Sequence, residues 1–156
     1  MLYNVSDFLE EKMKKIVVLL SLIFTLTVFC YSQTVNNGHI TIEITNVVVN
    51  GGRIYLTICS TAESFRNETP DFTFIIEAQN TNVFQELSLP NGEYVISAFQ
   101  DANYNQRLDY NLFGVPRELV GMSNYSGRGY PSKNFDRQKI LVNNSTGTIT
   151  IGLYKF

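Results

Sequence analysis

"LSLPNGEYVISAFQ", Leu87 to Gln100, holds two short apolar runs around one break in the chain. In the first run, Val83, Gln85, Leu87 and Leu89 fall on one face, and Phe84, Glu86 and Ser88 on the other. A repeat of two is the repeat of a β-strand, whose successive side chains point to opposite faces. Pro90 presets φ for the first corner of a turn, and Gly92 supplies the next positive-φ position. Glu93–Gln100 then alternates again and carries Tyr94, Val95, Ile96 and Phe99, residue types that fit a pleated surface.

Working upstream, "HITIEITNVVV", His39–Val49, sets Ile40, Ile42 and Ile44 on one face against Thr41, Glu43 and Thr45 on the other. Asn50-Gly51-Gly52 is a hairpin signal and predicts that this strand pairs with the next, "RIYLTICS", whose Ile54, Leu56 and Ile58 point inward. Thr61–Asp71 reads as a loop with one helical turn, and Phe72–Ala78 as a strand. Downstream, Gln138–Val142 and Gly147–Phe156 read as strands joined by a hairpin loop at "NNSTG". About seven short strands with frequent turn signals and no amphipathic helix predict an all-β, two-layer β-sandwich. The strand, Pro-Gly turn and Tyr-led strand are similar to transthyretin-like and Ig-like sandwiches, with a long ordered loop added.

The 156 residues fit one domain plus a leader. Met13-Lys14-Lys15 followed by Ile16–Phe29 has the basic and apolar regions of a secretory signal. Cleavage is expected after Ser32, leaving a single domain over 33–156 with no membrane span. The acidic residues Asp7, Glu10 and Glu11 are foreign to such a leader, so translation is expected to begin at Met13. These features place the protein in the periplasm or outside the cell. The formal net charge of −2 and the lack of a basic patch argue against nucleic acid as a partner. After cleavage only Cys59 remains, at the end of an apolar strand, and is expected to be a buried, inert thiol.

The segment "QDANYNQRLDYNLFGVPRELVGMSNYSGRGYP", Gln100–Pro131, is too long for a turn. Its first part has calcium-loop spacing. Asp101, Asn103, Asn105 and Asp109 fall at positions 1, 3, 5 and 9, and Arg107 at position 7, where a backbone carbonyl serves. Position 6 is Gln106 in place of Gly, and position 12 is Leu112 in place of a bidentate Glu, so a Ca2+ site here would be weak. Glu118 completes the shell if the loop folds back. The alternative is a metal-free chain of Asx-turns, because Asp and Asn bond their own backbone two residues on.

The second part offers a ligand surface of Tyr110, Glu118, Ser123, Asn124, Tyr125 and Arg128, whose rings and forked donors suit a glycan or protein from the envelope or the cell exterior. The alternative is that Phe113, Val115, Leu119 and Met122 tuck the loop over the sandwich. The single histidine, His39, leaves no Ser-His-Asp or Cys-His set and no zinc site. A carboxylate hydrolase built on Asp101, Asp109 and Glu118 is the remaining enzymatic option, and the expectation is a non-enzyme. A purely structural envelope or assembly domain is the other alternative.

Asp101, Asn103, Asn105, Leu108, Asp109, Gly114, Pro116, Glu118, Gly121, Ser123 and Asn124 together resemble the bacterial family of unknown function called DUF2141. Gln106 and the Gly-Tyr-Pro at Gly129–Pro131 depart from that family's pattern. The resemblance implies a secreted single-domain sandwich and carries no activity.

Overall fold

The computed structural model describes residues 5–29 and 36–156, with side chains in the first stretch described for 8–21. The expected cleavage point after Ser32 lies outside the described residues. Helix α1, Val5–Phe29, belongs to a unit of its own, and the remainder, Asn36–Phe156, is a second compact unit. Among the described residues no helix is long and apolar enough to cross a membrane.

Eight strands build the second unit: β1 Asn37–Thr45, β2 Arg53–Cys59, β3 Phe72–Glu77, β4 Val83–Pro90, β5 Gly92–Asp101, β6 Leu119–Met122, β7 Ile140–Val142 and β8 Thr148–Gly152. They form two sheets, one ordered β4-β1-β8 and one ordered β3-β2-β5-β6, with β7 pairing the start of β5. The architecture is the expected all-β sandwich. Two short helices, α2 Ala62–Arg66 and α3 Phe135–Gln138, decorate it. Helix α2 is the helical turn expected within Thr61–Asp71, and Thr61 caps it by accepting from the Ser64 N–H.

The inward faces follow from the alternation. Ile40, Ile42 and Ile44 of β1 meet Ile54, Leu56 and Ile58 of β2 across the sandwich, joined by Leu87, Leu89, Ile96 and Ile151. All of these are buried. Removing this apolar surface from water, at about 25 cal/mol per Å², is the main force holding the sheets together.

The pairing of strands corrects three expectations. β1 does not form a hairpin with β2. It pairs antiparallel with β4 and parallel with β8, while β2 pairs with β3 and β5. The Asn50-Gly51-Gly52 segment carries the chain from one sheet to the other. Its left-handed residues, Asn50 (φ 56°) and Gly52 (φ 101°), serve that crossing instead of a two-residue turn. Gln100 holds the crossing in place, accepting from the Val48 N–H and donating to the carbonyls of Val48 and Gly51. Likewise β7 and β8 lie in different pairings, so "NNSTG" is no hairpin loop. The third correction is at Pro90. β4 ends there and β5 begins at Gly92, so one residue separates strands of opposite sheets and Gly92 serves as a strand residue.

Candidate functional site

Both faces of β2 are largely covered, because Tyr55 and Cys59 on its outer side are buried as Leu56 is on its inner side. The strand register builds that outer face. One row runs Ile75, Tyr55, Phe99, Val120 and the next runs Thr73, Thr57, Ser97, Met122. Tyr55 and Phe99 stack with their ring centroids 5.1 Å apart. The face is thus an aromatic strip beside a strip of hydroxyls, with the Thr57 hydroxyl donating to the Ser97 carbonyl.

Two segments wall this floor. Helix α2 and the residues after it bring Phe65, Arg66, Glu68 and Pro70 to one side. The long loop brings Arg107, Leu108, Tyr110 and Pro116 to the other, with Tyr130 and Lys133 closing it. The cleft so enclosed has a volume of about 460 Å³. That falls in the range of small-ligand sites, about 300–1,000 Å³. Burial raises the Tyr110 hydroxyl pKa, with the nearby Glu68 charge adding to it. Cys59, at the cleft floor, is a buried free thiol whose pKa burial also raises, so it stays protonated.

The first half of the loop closes upon itself beside the cleft. Asp101 is fully buried, and its two carboxylate oxygens accept from the N–H groups of Asn105 (3.2 Å) and Gln106 (2.7 Å). Asn103 Oδ1 accepts from the Asn105 N–H and Asn105 Oδ1 from the Arg107 N–H, two successive Asx-turns. Asp109 Oδ2 accepts from Asn103 Nδ2 (2.8 Å) and Asn105 Nδ2 (2.7 Å), and Arg107 Nε approaches its other oxygen at 3.4 Å. These donors, Asn103 first, hold the Asp109 carboxyl below its ordinary pKa. Glu118 is 6% exposed and clasps the base, accepting from the N–H groups of Ala102 and Asp109, both at 3.2 Å. Burial raises its pKa against those two bonds.

Asp101, Asn103, Asn105, Asp109 and Glu118 are therefore tied into one hydrogen-bonded loop, and Tyr104 (φ 61°) and Gln106 (φ 66°) take the left-handed conformation. Gln106 thus adopts the sharp bend for which calcium loops use Gly. The donor set is hard oxygen chemistry suited to Ca2+. However, the amide nitrogens and not the amide oxygens face Asp109. Among the described residues no three His, Cys, Asp or Glu side chains are placed to share an ion.

The rest of the expected ligand surface is dispersed. Tyr110 lines the cleft. Ser123 is fully buried and works as a bracket, accepting from the Ile96 N–H and donating to the Gln138 carbonyl. Asn124 donates to the Lys139 carbonyl. Tyr125 sits edge-on to Tyr154 and tilted against Phe156, so its ring is engaged with the C-terminal aromatics. Arg128 is exposed. Leu119 packs against the core and Met122 lines the cleft, as the tucked-loop alternative expects. Phe113 does the opposite, at 90% exposed, because Asn111 folds the chain outward into a tight hairpin. The cleft floor was not foreseen. The signal for it was Tyr55, Cys59, Val95 and Phe99 at the outward positions of two adjacent strands.

The family profile described as "Uncharacterized protein conserved in bacteria (DUF2141)" matches residues 42–150. The chain belongs to the DUF2141 family. The match spans β1 to β8, so it takes in the cleft floor, the Asx network and the hairpin beyond it. No match was found among curated proteins or among solved structures.

Proposed function

We propose that this DUF2141 protein is a non-enzymatic binding module whose ligand site is the cleft over β3-β2-β5-β6, with loop 101–124 as its functional edge. The observation that carries this reading is the concave, aromatic-floored volume of about 460 Å³ on the outer face of a sheet. The other sheet turns a mostly polar face outward, with Phe84 as the exception. The ligand is a glycan or peptide group, since flat rings beside hydroxyls suit both. The leader-like segment Met13–Phe29 supports an extracytoplasmic place of work, in the periplasm or beyond. None of Asp101, Asp109 and Glu118 lines the cleft, and each is engaged by N–H donors, which supports binding over carboxylate hydrolysis.

The test is a fragment and oligosaccharide screen by NMR on labelled residues 36–156. Shifts clustered on Tyr55, Phe99 and Tyr110, abolished in Phe99→Ala, are the expected result. No shifts in the cleft across the screen would leave the structural-domain reading in its place.

A weak Ca2+ site is a second reading, favoured by the left-handed Tyr104 and Gln106 within a loop of oxygen side chains. A metal-stripped sample melted with and without millimolar calcium, magnesium as control, checks it. About tenfold saturation would add ~1.4 kcal/mol, a shift of several degrees for a domain of this size. A calcium response that survives both Asp101→Ala and Asp109→Ala would sink this reading and leave the cleft reading untouched.

A further inference from the structure

Leu112 is 98% exposed and Phe113 90% exposed, whereas the next most exposed large apolar side chain of residues 36–156, Phe84, is at 60%. The pair crowns a short hairpin. Tyr110 bridges Pro116, the Asn111 N–H donates to the Val115 carbonyl, and the Arg117 N–H donates to the Asp109 carbonyl. Asn111 Oδ1 accepts from the N–H groups of Phe113 and Val115, and Gly114 (φ 74°) completes the bend. The tip is therefore preformed, and two large apolar side chains are held in water by a turn that satisfies its own backbone.

The hairpin is layered. Below the tip stand two partly exposed tyrosines, Tyr110 (41%) and Tyr130 (47%), with the Tyr130 hydroxyl 3.5 Å from the Gly114 carbonyl. At the stem stand the exposed Arg117 and Arg107, the latter with a side chain 75% exposed. The two carboxylates at the stem are both engaged inward: Asp109 by Asn103, Asn105 and Arg107, and the buried Glu118 by the N–H groups of Ala102 and Asp109. Apolar tip, amphipathic ring and cationic base follow the order of acyl chains, interface and headgroups in a bilayer.

We propose that this hairpin docks onto a lipid surface, Leu112 and Phe113 entering the acyl boundary while Arg107 and Arg117 meet anionic headgroups. A protein partner fits less well. A stable interface buries about 800 Å² on each side, and a four-residue turn flanked by two half-exposed tyrosines does not offer that. A bilayer accepts a small convex tip, because lipid closes around it on every side, and nearby cations add attraction to anionic headgroups.

Among the described residues, 36–156 hold every strand and the whole core, so they can be tested without helix α1. The experiment is flotation with vesicles of phosphatidylcholine alone and of phosphatidylcholine mixed with phosphatidylglycerol. The wild-type unit is expected to float with the mixed vesicles and less with the neutral ones. L112S/F113S should lower the partition about tenfold or more at an unchanged melting temperature, since apolar burial drives the insertion. R117Q should weaken binding to the mixed vesicles only. Failure of the wild type to float with either vesicle, including the case where the tip instead captures a protein, overturns the proposal. So does flotation of L112S/F113S at the wild-type level.

Discussion

On β4-β1-β8 the outward positions are the half-buried Thr41 and Glu43 and the exposed Phe84, Glu86 and Thr150, laced by Glu43 bonds to Asn82 and Thr150. On β3-β2-β5-β6 they are Tyr55, Thr57, Ser97, Phe99, Val120 and Met122, beneath a loop and a helix. The same core lies between the two sheets. One outer face alternates cleanly and ends at solvent, as antiparallel sheets commonly do. The other spends apolar and aromatic residues where the core does not need them. A concave face of that kind suits the binding reading proposed above. On that reading, the contrast separates a scaffold sheet from a working sheet within one small sandwich.

The contrast is sharpened by substitutions of graded effect. Ile42→Ala in the scaffold sheet and Leu56→Ala in the working sheet should each cost about 2–5 kcal/mol, because both side chains are fully buried in the shared core. Urea unfolding with an unchanged slope checks this, and a much smaller loss at Leu56 would show that the working sheet is loosely packed. Glu118→Ala should cost about 1–3 kcal/mol, because the N–H groups of Ala102 and Asp109 lose their acceptor. Faster hydrogen exchange at those two amides, with β1 unaffected, would localise the damage to the working side. Thr150→Ala on the scaffold face should stay within about 0.5 kcal/mol, as exposed substitutions do. A larger loss there would erase the distinction.

Acidity gives a further pair of opposite signs. Burial raises the Glu118 carboxyl above its ordinary 4.5, so the folded state holds that proton more tightly than the unfolded chain. Its contribution is present in full below 4.5 and is lost as pH rises through the folded pKa. Asp71, which accepts from the Ser60 N–H first and then the Ser60 and Ser64 hydroxyls, lies below its ordinary 3.8. Its contribution holds above 3.8 and is lost as pH falls through the lowered value. Stability profiles should therefore flatten at their upper limb in Glu118→Gln and at their acid limb in Asp71→Asn.

The strands and their inward residues were legible because alternation is a local signal, and Ile40, Ile42, Ile44, Ile54, Leu56 and Ile58 all point where the pattern puts them. Partner choice was not legible. Asn50 and Gly52 report positive φ, and a sheet crossing uses positive φ as readily as a hairpin does. The Asx network could be read from the spacing of Asp101, Asn103, Asn105 and Asp109, since its bonds run between near neighbours. The cleft draws on β2, β5, β6, α2 and the loop at once, and only the register reveals that Tyr55 and Phe99 share a row. Phe113 misled for a related reason. Its hydrophobicity argues for burial, while the Asn111 side chain two residues earlier turns it outward.

Strand β1 lies parallel to β8, with Thr41 beside Thr148, close to opposite ends of the compact unit. One edge of β1 can pair with β4 early, and the other must wait for β8. Consecutive strands elsewhere, β3 with β4 and β4 with β5, also lie in different sheets. A chain made as far as β5 can already pair β1 with β4 and β2 with β3 and β5, but the β1–β8 pairing must close a loop of nearly the whole unit. Folding should be slow, and a chain released before Ile151 is made would keep the edge of β1 open. In kinetic terms the three-stranded sheet is completed only when its last strand is delivered.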